Sequence, residues 1–155
     1  MTIYLIRHAH AVDATEDPTR PLSKRGRKQV RTLARFLRST TGFQPAEIWQ
    51  SPLARSQQTA EQLQQRLGQI TKLVTCAELE SSEGVAILAA KLNTSRRSLA
   101  LVGHEPHLSD LATLLLTGQT HHPVVVMKKG AILALTKSSS CWTVNWLVHP
   151  DLLAP

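Results

Sequence analysis

The chain opens with a short apolar run, Thr2–Ile6, that ends abruptly on Arg7 and His8. Its β-branched and aromatic residues favour a strand, and its continuous hydrophobicity is typical of a strand covered on both faces. Open α/β sheets are built of such strands and bind their ligands at the carboxyl ends. The run therefore favours an α/β fold with a candidate site at His8, although an Arg-His pair alone is more often a solvated strand end.

The composition is that of an ordinary globular protein. The chain has 155 residues, of which 42% are hydrophobic and 19% charged, so we expect one domain spanning residues 1–155. Arg7 interrupts the apolar start too soon for a signal peptide, and no apolar run approaches the length of a membrane span. We therefore expect a cytoplasmic protein without a membrane partner. The oligomeric state stays open, with a monomer as the default.

Cysteine usage and charge restrict the functional class further. Cys76 and Cys141 form neither a CxxC pair nor a Cys/His ligand spacing, so we expect two reduced thiols, neither of them catalytic, and no zinc. The net charge of +7 suits a polyanion, but an aromatic content of 4% is low for a protein that stacks on bases. We expect no nucleic-acid partner, and an acidic or phosphorylated protein fits the charge equally well.

Strand-like and helix-like segments alternate through most of the chain. The later strands are predicted at 47–50, 71–75, 98–102, 131–136 and 142–148. Helices with one apolar face are predicted to begin at Ser23, at Ser51-Pro52, near Val85 and at Pro106, with ends at Gly42, Gly68 and Gly118. This order predicts a three-layer α/β/α sandwich with a mostly parallel sheet and an antiparallel C-terminal edge hairpin.

The helix after Ser23 is unusually basic. It carries seven cations and no acid: Lys24, Arg25, Arg27, Lys28, Arg31, Arg35 and Arg38. Such a run is most often a solvated helix face. The alternative is a docking face for an acidic partner.

Three separate segments bring cationic or imidazole groups to one edge of the predicted sheet. Arg7 and His8 follow the first strand, Arg55 lies in the first turn of a helix, and His104 follows another strand. Free N–H groups and the positive dipole end at a helix N-terminus suit an anion, and Arg55 adds a full charge. The convergence predicts a phosphate site.

Four ordered blocks now match a known family. They are Arg7-His8 after the opening strand, Arg20-Pro21-Leu22-Ser23 with Gly26, Ser51-Pro52 with Arg55 and Gln58-Thr59-Ala60, and Val102-Gly103-His104. On these residues the chain resembles the histidine phosphatase superfamily over nearly its whole length. It is most similar to the small SixA-type phosphohistidine phosphatases, because larger members insert a lid subdomain for which this chain has no room.

The resemblance implies roles for the site residues. His8 is the nucleophile that accepts the phosphoryl group, and Arg7, Arg55 and His104 bind its oxygens, His104 best in its protonated form. A neutral imidazole is nucleophilic near pH 7, and fixed positive groups stabilise the transferring phosphoryl group. The reaction is therefore expected to need no metal and no other cofactor.

The proton donor for the leaving group is less clearly marked. Glu78 best matches the family's acid, and Glu80 is close enough to compete, while both could equally be solvated loop carboxylates. An imidazole leaving group can also take a proton on its other nitrogen from water. Ala9 stands where the family's common block has glycine, and we expect this small residue to be compatible with activity.

The expected activity is removal of phosphate from histidine on a phosphotransfer or signalling protein, by the same resemblance. The alternatives are a phosphatase for small phosphate esters and an inactive module that binds phosphorylated proteins. The remaining histidines are expected at the surface or in caps; they are His10, His107, His121, His122 and His149.

Overall fold

The structure is a computed structural model that describes residues 1–39, 42–68, 70–80 and 84–153. Within these ranges four α-helices alternate with the first five of six strands, and the last two strands follow each other directly. The strands are β1 (Thr2–Arg7), β2 (Glu47–Gln50), β3 (Lys72–Thr75), β4 (Leu99–Gly103), β5 (Ile132–Ser138) and β6 (Cys141–Val148). The helices are α1 (Lys24–Ser39), α2 (Ala54–Leu67), α3 (Gly84–Thr94) and α4 (His107–Thr117), with short 3₁₀ turns at Ala77–Leu79 and Pro150–Leu152.

All six strands form one sheet in the order β3-β2-β4-β1-β5-β6. The first four are mutually parallel, and β5 and β6 are antiparallel additions at one edge. The mostly parallel sheet and the C-terminal hairpin predicted from the sequence are confirmed. Because β1 and β4 are parallel neighbours with Arg7 opposite Gly103, the two segments that follow them begin side by side.

Two apolar clusters cover the two faces of the sheet. Alternate residues of β1 divide between them: Ile3 and Leu5 belong to the cluster under α3 and α4, whereas Tyr4 and Ile6 belong to the cluster under α1 and α2. This alternation follows from the two-residue period of a strand. The helices therefore lie on both faces, which confirms the three-layer architecture, and no lid segment occurs in the described part of the chain.

The helix ends agree with the sequence at most points. Ser23 caps α1, since its Oγ accepts the Gly26 N–H at 3.1 Å. Gly68 and Gly118 end α2 and α4 in left-handed conformations, at φ of 66° and 74°, which glycine adopts without a steric penalty. The predicted end of α1 at Gly42 depends on residues 40 and 41, which lie outside the described residues.

The predicted start of α2 at Ser51-Pro52 is wrong. The Ser51 N–H still donates to Val102 O in β4, at 3.0 Å, so Ser51 prolongs the ladder of β2 instead of opening a helix. Leu53 occupies the N-cap position without a side-chain cap, and the helix begins at Ala54. The serine hydroxyl accepts the Leu53 N–H at 3.3 Å, which supports the turn between strand and helix. Within the described residues, no helix has the combined length and apolarity needed to cross a bilayer.

Candidate active site

The carboxyl ends of β1, β4 and β2 meet at one edge of the sheet, and the residues that follow them form the candidate site. The His8 N–H donates to Gly103 O at 2.8 Å, which ties the end of β1 to the end of β4. On the other side of β4, the Ser51 bond to Val102 fixes the turn that leads to Arg55. The segments carrying Arg7, His8, Arg55 and His104 therefore converge, as their positions after the strands predicted.

His8 is buried, with only 4% of its surface exposed. Its Nδ1 lies 2.7 Å from Ala9 O, and since a carbonyl can only accept, Nδ1 carries the hydrogen and Nε2 keeps its lone pair. Burial lowers the pKa of His8 to about 4, helped by the charges of Arg55, Arg7 and His104 and opposed by the bond to Ala9. At neutral pH this imidazole is uncharged and can act as a nucleophile through Nε2.

Arg7 is held by the loop that precedes β5. Its Nη1 donates to Met127 O at 2.7 Å, and its backbone N–H donates to Ala131 O at 3.0 Å. Within the described residues its Nε is buried without a hydrogen-bond partner. An unmatched buried donor on a cation costs free energy unless a ligand completes it, so this guanidinium is well suited to an anion.

Arg55 lies in the first turn of α2 among other charges. Burial is the largest cause that lowers the pKa of Arg55. The positive charge of Arg20 lowers this pKa further, and the negative charge of Glu80 raises it. Arg20 therefore lies near the site, in a left-handed backbone conformation with φ of 50°. The motif that contains Arg20 does not by itself indicate a role for this residue, since only the fold shows that the loop before α1 returns to the first turn of α2.

His104 faces the same charges. Burial is the largest cause that lowers the pKa of His104. The charges of Arg55 and His107 lower this pKa further, and the charge of Glu80 raises it. Its Nδ1 is buried with no hydrogen-bond partner among the described residues. The protein groups alone thus oppose the protonated form expected from the sequence, whereas a phosphoryl dianion beside the ring would favour it.

Hydrogen bonds behind the site hold the segment after His8. The Ala9 N–H donates to Thr59 Oγ1 at 3.1 Å, and the same hydroxyl donates to Arg55 O at 2.7 Å. Ala9 is fully buried, so its methyl group belongs to the core. Thr59 links the backbone next to His8 with the first turn of α2, a positioning contact that explains the threonine in the Gln58-Thr59-Ala60 block.

A second set of contacts joins this segment to α1. The His10 N–H donates to Gln29 Oε1 at 2.9 Å, and Ser23 Oγ lies 2.8 Å from His10 Nδ1. A Cβ on Gly26 would lie 2.0 Å from His10 O, a distance that real Cβ contacts do not reach. Glycine is therefore required where α1 crosses the segment after β1, which accounts for the spacing of Ser23 and Gly26.

The two candidate acids have different surroundings. Lys91 Nζ lies 2.6 Å from one Glu78 oxygen, and the Cys76 thiol donates to the other at 3.1 Å. These partners, Lys91 first, hold the pKa of Glu78 at about 2. Glu80 instead acts electrostatically on both Arg55 and His104. Residues 81–83 of the acidic loop lie outside the described residues.

His107 is expected at the surface or in a cap, and the surface position is wrong. It is the first residue of α4, only 6% exposed, and its ring centroid lies 6.4 Å from that of His104 in an edge-to-face arrangement. Only three residues separate the end of β4 from His107, so the two rings lie in neighbouring positions. His149 accepts the Asp151 N–H at the start of a 3₁₀ turn and so acts as a cap, while His121 and His122 are exposed.

A sequence profile of the histidine phosphatase superfamily (branch 1) matches residues 3–83, more than half of the chain. The chain belongs to the histidine phosphatase superfamily. The match includes Arg7, His8 and Arg55, and His104 joins them through the pairing of β1 with β4.

Individual relatives agree with this assignment. An uncharacterised protein of Picosynechococcus sp. (strain ATCC 27264 / PCC 7002 / PR-6) is 33% identical over 138 residues, covering 85% of this chain and 83% of that protein. The phosphohistidine phosphatase SixA of Escherichia coli (strain K12) is 28% identical over 155 residues, covering 97% and 94%. A structure of the protein histidine phosphatase SixA complexed with tungstate superposes with a TM-score of 0.85 at 26% identity, covering 99% of this chain and 100% of that one. This histidine phosphatase is a phosphate-releasing hydrolase that resembles SixA.

Proposed function

We propose that this phosphatase removes phosphate from a histidine side chain of a phosphotransfer or signalling protein, through a covalent intermediate on His8. The observation that carries the proposal is a buried imidazole, uncharged at neutral pH, whose Nδ1 bonds Ala9 O and whose Nε2 keeps the lone pair, with Arg7, Arg55 and His104 around it. Nε2 attacks phosphorus while the P–N bond to the substrate imidazole breaks. Water then attacks phospho-His8, which releases inorganic phosphate and returns neutral His8.

The cations around His8 supply most of the expected rate acceleration. Phosphoryl transfer spreads negative charge over three equatorial oxygens, and positive groups held in place stabilise that charge without reorganising. We assign this role to Arg7, Arg55 and His104, and we add Arg20 because its charge acts on Arg55. The SixA structure that contains tungstate, a tetrahedral oxyanion, supports an oxyanion site in this fold.

A protein substrate is favoured by the short connections on either side of the site. Between Arg55 and His104 the described chain contains only the rest of α2, strand β3, one 3₁₀ turn, helix α3 and strand β4. The described part of these connections contains no inserted lid segment, which favours access of a histidine on a folded partner to the edge of the sheet where His8 lies. The relationship to SixA, a phosphohistidine phosphatase, supports the same substrate class.

We assign the leaving-group proton to Glu80 or to water in preference to Glu78. The Lys91 ion pair and the Cys76 thiol stabilise the charged form of Glu78, and a carboxylate with a pKa of about 2 is a poor acid near neutral pH. The charge of Glu80 raises the pKa of both Arg55 and His104, so this carboxylate lies near the site. The first expectation, Glu78, stays a prediction that variants of both residues can test.

We propose that this reaction uses no metal and no cofactor, because His8 supplies the nucleophile and Arg7, Arg55 and His104 supply the positive groups. Among the described residues, no three His, Cys, Asp or Glu side chains come together in an arrangement that could hold a metal ion. We also infer that residues 1–155 act as one phosphatase domain. The cytoplasmic location and the monomeric state remain predictions.

The test uses His8→Ala with His122→Ala as the matched control, since His122 is an exposed histidine outside the site. A histidine phosphotransfer domain phosphorylated with phosphoramidate is the substrate, and phosphate release is measured. We expect His8→Ala to lose at least about a thousandfold in kcat, the loss typical of a removed nucleophile, and His122→Ala to match the parent. Mass spectrometry of the parent enzyme, quenched rapidly during turnover without acid, should detect phosphate on His8.

Phosphate release by His8→Ala at the parent rate would contradict the mechanism. Faster turnover of a sugar phosphate than of the phosphohistidine domain would move the substrate to small esters, and binding without any release would favour the inactive module. Under the proposal, Glu80→Gln slows turnover of an alkyl phosphate more than that of phosphohistidine, and Glu78→Gln slows neither.

A further inference from the structure

The seven cations of α1 all lie at the surface. The buried face of this helix consists of Gly26, Gln29, Val30, Leu33, Ala34 and Leu37, so every Lys and Arg points outward. Among the described residues, the only ion pair that any of the seven forms is Arg25 with Asp151, at 3.8 Å. Intramolecular pairing therefore leaves this positive charge largely uncompensated.

The first turn of α1 and the candidate active site line the same depression. A depression of about 440 Å³ is lined by Arg7 of the site together with Arg25, Lys128 and Lys129. Asp151 is the one carboxylate among its described lining residues. Positive charge thus extends from the proposed phosphate site onto the neighbouring surface without a break.

Two further depressions continue along α1. Arg25 and Lys28 line the next one, of about 280 Å³, against Pro150 and Leu153, and Arg35 lines a third beside Leu153. Arg25, Lys28 and Arg35 share one helix face and span roughly 15 Å at 1.5 Å per residue. We call the surface formed by Arg25, Lys28, Lys128 and Lys129 the basic groove.

An apolar patch adjoins the basic groove. Val126 and Leu152 are each 80% exposed and Leu147 is 41% exposed, and they line a shallow depression together with Lys128. Exposed aliphatic side chains grouped beside a functional site mark an interaction surface. Lys128 belongs to both surfaces, which makes the apolar patch and the basic groove continuous.

The acids of this region lie mainly on the other side of the start of α1. Asp13, Glu16 and Asp17 line a separate depression with Lys24 and Arg27. The basic groove therefore keeps its net positive charge, with Asp151 as its only carboxylate among the described lining residues.

We propose that the basic groove and the apolar patch are the docking surface for the phosphorylated partner, a folded protein with an acidic surface and an apolar spot beside its phosphohistidine. The delivery of phosphohistidine to His8 rests on the proposed function. Docking here places the acidic face of the partner over α1 and its phosphate over Arg7. Opposite charges raise the association rate and orient the partner, while the apolar patch supplies the dry contact that slows dissociation.

The chemistry of the surface favours a protein over other polyanions. The apolar patch is aliphatic, whereas single-stranded nucleic acids are held by aromatic side chains that stack on bases. The basic groove is concave and opens at Arg7, which suits a protruding partner better than a flat lipid surface. Nucleic acid and anionic lipid are therefore alternative outcomes of the test.

The test variant is Lys28→Glu/Lys128→Glu, two exposed lysines of the basic groove. The matched control, Lys72→Glu/Arg96→Glu, changes the net charge equally at the start of β3 and just before β4, at the opposite edge of the sheet. Kinetics are measured on an acidic histidine phosphotransfer domain phosphorylated with phosphoramidate, and on p-nitrophenyl phosphate. We expect the test variant alone to raise KM for the domain about tenfold with kcat unchanged, and to leave KM for p-nitrophenyl phosphate within about twofold.

Binding is measured in parallel on a His8→Ala background, by calorimetry with the same phosphorylated domain at about 50 and about 500 mM salt. We expect the groove variant to weaken binding at low salt and the difference to vanish at high salt, while Val126→Ser weakens binding at both. Equal effects of the groove and control variants, or equal effects on both substrates, would overturn the docking surface. Tighter binding of a single-stranded oligonucleotide or of phosphatidylglycerol vesicles to the same residues would overturn the partner class.

The two proposals fail in distinguishable ways. The proposed function fails if the parent chain and His8→Ala hydrolyse phosphohistidine at the same rate. The calorimetric comparison still decides whether the basic groove binds the acidic domain, because it needs no turnover.

Discussion

At the scale of single residues, the protein keeps its candidate nucleophile uncharged by burying it. His8 is 4% exposed among cations, and both the burial and the neighbouring charges disfavour a second proton. The same environment that frees Nε2 for attack makes the folded state sensitive to acid. Reactivity and stability are therefore linked through one ring.

The sign of this linkage gives a prediction. The pKa of His8 falls from 6.5 in the unfolded chain to about 4 in the fold, so the unfolded state binds more protons between these values and stability declines as the pH drops through this window. From pH 7 to pH 5 the His8 contribution should lower the unfolding free energy by about 2 kcal/mol. Urea titrations of the parent and of His8→Gln at both pH values measure the difference. A parent and a variant that lose equal stability would show that His8 titrates normally.

At the scale of elements, α1 combines a tight inner contact with a self-repelling outer face. Gly26 lets the helix lie directly on His10 O, whereas outside Arg31 has Arg27 and Arg35 four residues away in either direction. Like charges at this spacing destabilise a helix. A face that costs stability and lies next to the candidate site is what a docking function would maintain.

Arg31→Glu tests this reading of the helix. The change replaces repulsions with Arg27, Lys28 and Arg35 by attractions, so the unfolding free energy should rise by about 1 kcal/mol at low ionic strength. Arg31→Gln, which only removes the repulsion, should give about half of that gain. Urea unfolding at low and high salt measures both. A gain that survives high salt would mean that charge is not its cause.

At the scale of the whole molecule, one sheet carries the candidate site at the carboxyl ends of its parallel strands. The two cysteine thiols lie in different environments around the same sheet. The carboxyl ends of four parallel strands form the site edge, and β3 and β6 are the outer strands. Cys76 follows β3 and is buried in the apolar cluster under α3 and α4, whereas Cys141 begins β6 and is exposed. Both thiols are free, as the sequence suggested.

The thiols should report the opening of the fold. Burial first, and then Glu78, raises the pKa of Cys76 to about 11, and its sulfur is shielded from reagent. A disulfide reagent at neutral pH should label Cys141 at once and Cys76 at least about a hundredfold more slowly, since it must wait for local or global unfolding. Cys76→Ser and Cys141→Ser assign the two phases. Equal labelling rates would mean that the region of β3 is open in the native state.

The sequence by itself determined the order of strands and helices, the layered α/β class and the four motif blocks around Arg7, His8, Arg55 and His104. These features are local: periodicity, capping residues and the abrupt end of an apolar strand are each encoded within a few neighbouring positions. Even there, Ser51-Pro52 misled the prediction of α2, because Ser51 is held in the ladder by Val102 of another strand.

Only the tertiary structure decided how these groups are tuned and what lies beside them. The hydrogen bond between His8 and Ala9 O selects the tautomer of His8, and burial and neighbouring charges lower its pKa. Lys91 forms an ion pair with Glu78, while the charge of Glu80 acts on Arg55 and His104. Arg20, His107 and the basic groove likewise depend on segments far apart in the chain. Electrostatics and burial are sums over spatial neighbours, and those neighbours are defined only once the sheet has brought its strand ends together.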